Sequence, residues 1–414
     1  MTSTSSALPS TPEAARTFDM FDLPPGYIQA PYPWFRALRD HDPVHRNGDG
    51  TVLLTRYADV RTVWRDVSAI VDKNEMFHAK FGDGPLYEHH STAMLFRDPP
   101  DHDRLRAVVT PFFSPGSVER LRPFIENLVE DLLDEAEDRV ELDFVDDFAA
   151  RIPIALITRI LGVPPEDGDL LRAMGLTVLL PLNPTVSPET VRAGHEGAAQ
   201  FIDYLDEHVQ RVRAKGVDGD PETVLEALVA AHLDGDRVSI AEVVHMCLLL
   251  MNGGHETTTN LMAVGAHSLL DHPDQYCGLG AGTGLGDGAV EELIRFVTPL
   301  QLQGRRTTRP ADLPSSGVTL PAGTEVILCQ ASANRDERAF DRPDVLDLGR
   351  RPNAHVSFGL GVHVCVGRPL ARLETRIVFP RLAARFPGLQ RAGDPVWNDN
   401  VRFRGLRSLP VRTS

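Results

Sequence analysis

One of the four cysteines in this chain lies in a glycine-rich run. That run is Phe358-Gly359-Leu360-Gly361-Val362-His363-Val364-Cys365-Val366-Gly367. Glycines on both sides of Cys365 let the backbone turn tightly and approach a flat object closely. A cysteine held in such a loop can present its sulfur among amide N–H groups, which favour thiolate. The segment that follows, Arg368-Pro369-Leu370-Ala371-Arg372-Leu373-Glu374, reads as a helix start whose N-terminal dipole favours the same anion. Cys247, Cys277 and Cys329 have no such setting, and no CxxC pair or zinc spacing joins any of the four. They read as small buried hydrophobes, without disulfides in a reducing compartment.

Three other segments pair chemically capable residues at helical spacing. His102 and Arg106 are four apart and share a face, as do Glu292 and Arg295 at three apart. Asn252-Gly253-Gly254-His255-Glu256-Thr257-Thr258-Thr259 puts two glycines and three β-branched residues inside an otherwise apolar helical run. Such a weak stretch reads either as a functional opening of the helix or as a close helix crossing. His255-Glu256 starts like a zinc-protease motif, but residue 259 is Thr where the second His belongs. Gly278 to Gly288 contains a GxGxxA match with no strand before it and reads as a surface loop.

Taken together, these segments resemble the cytochrome P-450 family, in the family's own order and over most of the chain. The cysteine loop matches FxxGxHxCxG at every fixed position, Glu292-Leu293-Ile294-Arg295 resembles the ExxR helix, and Asp98 to Arg106 resembles the HxxxR helix. Gly253 to Thr258 resembles the oxygen-activation motif (A/G)GxxTT with an acid before the first Thr. The resemblance implies haem b, with Cys365 as axial ligand of its iron and His102, Arg106, His363 and Arg305 at the propionates. Arg306 competes with Arg305, and Arg305 is preferred. It implies a buried triad of Glu292, Arg295 and Arg350, with Arg351 as the adjacent competitor, holding the cysteine loop. Thr257 and Glu256 would deliver protons, and Asn252, Gly253, Leu300 and Gln301 would line the substrate pocket, together with segments 75–95, 170–188 and 299–303, the last of which also carries Gln303.

The implied reaction inserts one atom of O2 into a mostly apolar small molecule. With no flavin- or ferredoxin-like segment in the sequence, electrons are expected from a ferredoxin or flavodoxin with its reductase. Arg368, Arg372 and Arg376 recur every four residues and could form a docking face or a solvated helix side. The alternatives are a peroxide-using peroxygenase, a haem-thiolate isomerase and a non-catalytic haem-thiolate sensor. The Glu256-Thr257 pair argues against the first two.

Positioning these residues takes a mainly α chain with small β-sheets, an α+β class. The P-450 fold that the resemblance implies sets a long central helix over a buried haem. Ser239 with Glu242 three residues on predicts a capping box, opening a helix that runs to about Asp271. At 1.5 Å per residue that is roughly 50 Å, and its Leu248 to Met251 stretch reads as amphipathic. Leu121, Phe124, Ile125, Leu128 and Leu132 form an apolar stripe, with Ser114-Pro115 as a helix entry upstream. Strands are expected over 51–55 and 326–329.

The chain has 414 residues and no Gly/Ser- or Pro-rich linker, so residues 16–414 are expected to form one domain behind a flexible stretch, 1–15. That stretch lacks the basic and apolar regions of a signal peptide, and no run approaches the ~20 apolar residues of a membrane span. A cytoplasmic, monomeric protein without membrane attachment is expected. A net charge of −16 argues against nucleic acid as a partner.

Overall fold

The long helix sets the frame. In the structure, a computed structural model describing residues 10–217, 219–235, 237–282 and 286–413, it spans Ile240–Leu270. Ser239 Oγ accepts from Glu242 N at 3.2 Å and Glu242 Oε2 accepts from Ser239 N at 2.8 Å, which closes the predicted capping box. The helix is not amphipathic around Leu248 to Met251. Most of its residues are buried, because helices Arg151–Leu161, Gly168–Leu179 and Pro188–Lys215 pack on it.

The weak stretch inside this helix stays continuous α-helix. A Cβ at Gly254 would lie 2.9 Å from Ile157 Cδ1, so this glycine permits the crossing with Arg151–Leu161. Open space adjoins Gly253. The close-crossing reading thus holds at Gly254, and the helix shows no opening at Gly253.

Short strands close one edge. A five-stranded sheet runs in the order Val44–Arg46, Val52–Leu54, Glu325–Cys329, Leu302–Thr307, Ala69–Ile70. Leu302 pairs with Cys329 and Arg305 with Val326 in antiparallel register, and this sets which side chains of 302–307 face inward. Both expected strands lie in this sheet. Among the described residues, three smaller sheets of two or three strands accompany it.

Other expectations change as well, and Cys277 is exposed where a small buried residue was expected. Thr11 caps a helix, Pro12–Thr17, whose Ala14 and Ala15 are buried with Phe18 and Phe35, so 11–15 is packed structure, while residues 1–9 lie outside the described residues. Ser114 caps only Pro115–Glu119, and a second helix, Arg122–Glu137, starts with Pro123 in its first turn. That helix buries Ile125, Val129, Leu132 and Leu133, leaving Leu121, Phe124 and Leu128 half-buried at the margin of the stripe. The Gly-rich stretch is not simply a loop. Gly278 and Gly280 end helix Pro273–Gly280, and Gly286 and Gly288 begin helix Gly286–Val297.

Candidate active site

The cysteine loop is shaped by two left-handed glycines. Gly359 has φ +67° and Gly361 φ +73°, and a Cβ at Gly361 would lie 2.6 Å from Trp64 O. Cys365 N donates to Phe358 O at 2.9 Å, and helix Arg368–Arg385 opens with Gly367 at its N-cap. The Cys365 side chain faces a cavity. Burial in protein pushes its thiol up, and the Gly367 and Arg368 N–H groups with the Arg106 and Arg368 charges oppose that. The sulfur thus stands where a cationic metal would complete the balance.

Around the cysteine, His102, Arg106 and His363 line the same cavity. The His102 and His363 rings lie 4.3 Å apart between centroids, and Arg106 donates to Val362 O at 3.2 Å and Val364 O at 2.7 Å. His363 Nε2 is buried without a hydrogen-bond partner, with Asp98 Oδ1 at 3.7 Å. Of the two candidate arginines, Arg305 is 6% exposed, and its charge helps burial lower the pKa of His363. Its own pKa is lowered to about 10 by burial, against the Asp98 charge, and among the described residues it forms no ion pair. Arg306 is outside, 4.0 Å from Glu325. The alternation of the strand separates these neighbours.

Behind the loop lies a saturated ion network. Arg295 Nε and Nη2 donate to Glu292 Oε2 and Oε1 at 2.7 and 2.8 Å, and Arg350 Nε reaches both oxygens at 3.1 and 3.0 Å. Burial alone would raise the Glu292 pKa, but these partners and the Asp347 N–H hold it below its usual value. Arg295 Nη1 also donates to Asn334 O at 2.7 Å. The Asn334 side chain accepts from Val356 N at 2.8 Å and donates to Ser357 Oγ at 2.8 Å, at the start of the cysteine loop. Arg351 lies outside this network, its Nη1 donating to Arg350 O.

The opposite wall comes from the long helix. Asn252, Gly253, Thr257 and Thr258 line the cavity. Thr257 Oγ1 donates to Gly253 O at 2.8 Å, leaving its lone pairs free to accept. Glu256 does not line this cavity. One residue is a 100° step on a helix, so its carboxylate points away from the Thr257 side and accepts from Asn260 Nδ2 at 2.9 Å. Burial raises its pKa, against the Asn260 hydrogen bond and the Arg172 charge.

The remaining walls are apolar, and the cavity holds about 260 Å³ open to the centre of a water molecule. Met94, Leu95, Phe96, Leu182 and Phe403 are among its lining. Leu300 lines it and Gln301 does not. The Gln301 backbone is tied on both sides, its N to Arg402 O and its O to Gln330 N, and Gln303 supplies the polar group instead. Two histidines missed at residue level, His89 and His90, also line it. Only their position in segment 75–95 could have flagged them. The arginine face is partly neutralised, since Arg372 pairs with Glu291 at 2.6 Å and Arg376 with Asp287 at 2.8 Å. Arg368 is exposed.

The haem implied by the sequence fits these residues. The cavity offers apolar walls for a flat ring, one sulfur, and a cluster of His102, Arg106 and His363 with an orphaned nitrogen suited to acidic arms.

Comparison with known proteins points the same way. A family model described as Cytochrome P450 matches residues 170–279 and 285–400. Cytochrome P450 107B1 of Saccharopolyspora erythraea is 35% identical over 408 residues, covering 95% of this chain and 98% of its own length. Vitamin D(3) 25-hydroxylase of Pseudonocardia autotrophica is 37% identical over 392 residues, covering 93% of this chain and 94% of its own. The crystal structure of CalO2 superposes with a TM-score of 0.88 at 34% identity, covering 96% of this chain and 99% of that one.

Proposed function

The chain belongs to the cytochrome P450 family and is a haem-thiolate monooxygenase, and on that premise we propose that Cys365 is the thiolate ligand of its haem b. The observation that carries this reading is the cysteine loop, which turns its sulfur into the cavity shared with His102, Arg106, His363 and Thr257. Bound there, the haem supplies the oxygen-binding and oxygen-activating chemistry, with one oxygen atom passing to the substrate.

The chain's own residues do the rest. His102, Arg106 and His363 hold the propionates, with Arg305 behind His363 adding charge. Glu292, Arg295 and Arg350 fix the loop that presents the sulfur. Thr257 holds a proton or a water with the hydroxyl oxygen that Gly253 O leaves free. Glu256, pointing away from the cavity, passes protons to it from outside by a side-chain swing or through water. Asn252, Gly253, Leu300 and Gln303, among apolar walls, orient a mostly apolar substrate and exclude bulk water.

Electrons come from a separate ferredoxin or flavodoxin with its reductase, for which exposed Arg368 offers a docking charge. One apolar cluster runs from Phe77 to Val411, which supports a single domain. Among the described residues no helix is long and apolar enough to cross a membrane. The four free cysteines support residence in a reducing cytoplasm.

The test is the ferrous carbonyl spectrum of the purified protein. The wild type should give the long-wavelength band from which the family takes its name, and Cys365→Ser should lose it. A band that survives in Cys365→Ser but disappears on replacing Cys247, Cys277 or Cys329 overturns the assignment.

A further inference from the structure

Helix Pro85–Thr92 presents two adjacent histidines to the cavity. His89 and His90 both line it, at 3% and 1% exposure, and their rings stand 5.1 Å apart between centroids at 82°. His90 is held among Phe77, Phe81 and Phe96, whose ring centroids lie 5.4, 5.1 and 4.8 Å from its own. His89 packs on Phe96 and on His245 of the long helix, at 6.1 and 5.7 Å. Rings packed on several sides keep their orientation, so the polar atoms they show the cavity stay in place.

The hydrogen bonds fix what each ring offers. His90 Nδ1 lies 2.7 Å from Leu86 O, an oxygen that can only accept, so Nδ1 carries the proton. In the neutral ring Nε2 is then a bare acceptor. Among the described residues no protein group donates to it, and unlike His89 Nδ1 it is not sealed in. His89 takes the complementary form. Its Nδ1 is buried without a partner, so a proton there would have no acceptor, whereas a proton on Nε2 can find one in the cavity. Burial lowers the pKa of His90 to about 4 against the Leu86 hydrogen bond, and Arg402, Lys80 and His245 add to it. Burial, with His90 and His245, holds that of His89 well below its usual value. No carboxylate pairs with either ring among the described residues, so both are neutral at pH 7.

We infer that His89 and His90 form a hydroxyl site on the cavity wall, and that the substrate is an apolar alcohol. A hydroxyl both donates and accepts at one atom, so its O–H donates to His90 Nε2 while its oxygen accepts from His89 Nε2–H. A ketone, ether or carboxylate oxygen only accepts, and it leaves His90 Nε2 unpaired in a buried setting. A cationic amine meets the Arg402 and Lys80 charges that already act on His90. Held at its hydroxyl, the substrate lays its apolar body against walls such as Leu182, Leu300 and Phe403. The anchor thereby sets which carbon reaches the reacting centre. This inference rests on the monooxygenase reading, because it takes the cavity to be the substrate site.

The experiment uses the full-length, haem-loaded protein and begins without any variant. Cyclooctanol, cyclododecanol and menthol are titrated, each beside its ketone, its methyl ether and the carboxylate that replaces the hydroxyl on the same ring. Binding is read both by the haem spin-state shift and by heat. At least one alcohol should bind about tenfold or more tightly than both its ketone and its ether, the loss expected when a buried acceptor is left unpaired. His90→Phe, which keeps an aromatic ring among the phenylalanines, should bring the alcohol down to its ether while the ketone moves less than about threefold. His89→Phe should weaken alcohol and ketone alike, because both accept from that ring.

A ketone or a carboxylate that binds as tightly as its alcohol throughout the series overturns the substrate class. Equal affinity of alcohols and ethers, absence of any alcohol binding, or a preference that survives in the His89→Phe/His90→Phe double variant overturns the hydroxyl site. The thermal midpoint and the carbonyl band of each protein are recorded first. A variant that fails to fold leaves the decision to the wild-type ligand series. Loss of the band in the wild type defeats the Cys365 reading, whereas a normal band with no alcohol preference defeats this inference alone.

Discussion

Behind the cysteine loop, every side-chain nitrogen of Arg295 and Arg350 donates to an acceptor. Across the cavity, Asn252 Nδ2 and His89 Nδ1 on its lining are buried without a protein partner. Both regions bury polar groups at comparable depth, so burial does not separate them. What separates them is where the partners come from. A network that must hold one geometry supplies all its own acceptors, and losing one member strands the rest. A wall that must receive a ligand leaves donors open, each at a cost of about 1–3 kcal/mol that a bound molecule can offset. The two arginines of the scaffold are saturated, and two nitrogens on the cavity wall are not.

The sharpest way to break this contrast is at the scaffold. Arg295→Ala leaves Glu292 and Arg350 in an incomplete network and should cost about 3–5 kcal/mol. It should yield little haem-loaded protein, measured as haem per chain and by thermal midpoint. A fully loaded variant melting with the wild type would remove the distinction.

Next comes acid. His90 and His245 have pKa values lowered to about 4, and His255 to about 3, in each case chiefly by burial. The folded state therefore binds fewer protons than the unfolded chain between their values and 6.5. Stability present above pH 6.5 is lost as pH falls through that window, by up to ~3 kcal/mol for His90 and His245 and ~5 kcal/mol for His255. The thermal midpoint should drop from pH 7 to pH 4.5, and His245→Asn should flatten the slope. An unchanged slope in that variant would mean that burial does not hold the His245 ring neutral.

A smaller effect sharpens the comparison on the long helix. Thr257→Ala removes a hydroxyl whose donor is satisfied but whose acceptor face is open, so folding and haem content should hold. Coupling should fail instead, with peroxide formed per NADPH rising several-fold when a substrate and redox partners are present. Glu256→Gln should slow turnover more than it alters that ratio. An unchanged peroxide ratio in Thr257→Ala would move proton delivery elsewhere.

The smallest effect belongs to the surface. Arg306 is 4.0 Å from Glu325 at an exposed position, and Arg306→Gln should change stability by less than about 1 kcal/mol. Arg305→Gln should lower haem content measurably. The reverse order would exchange the two assignments.

Much of this was legible from local pattern. Ser239 with Glu242 gave the start of the long helix to the residue, because a capping box is a four-residue event. Glu292 and Arg295 share a face by helical spacing, and the cysteine loop needs its glycines at fixed offsets. Where local pattern competed with packing, it failed. Leu300 and Gln301 are adjacent in sequence yet differ in access to the cavity, since neighbouring side chains of extended backbone point to opposite sides. Glu256 and Thr257 part for the corresponding helical reason.

Local pattern in the sequence was enough to mark the candidate reaction centre: a cysteine among glycines, its helix, the Glu292/Arg295 pair and a threonine on a long helix. Each is set by contacts within a few residues, and such short motifs keep their chemistry wherever the chain folds around them. Which side chains face the cavity follows from packing alone. His89, Asn252 and Phe403 come together on its wall from segments separated by some 300 residues. Nothing in their own neighbourhoods marks them, because a shared wall is a relation between distant segments and appears only once each has been placed.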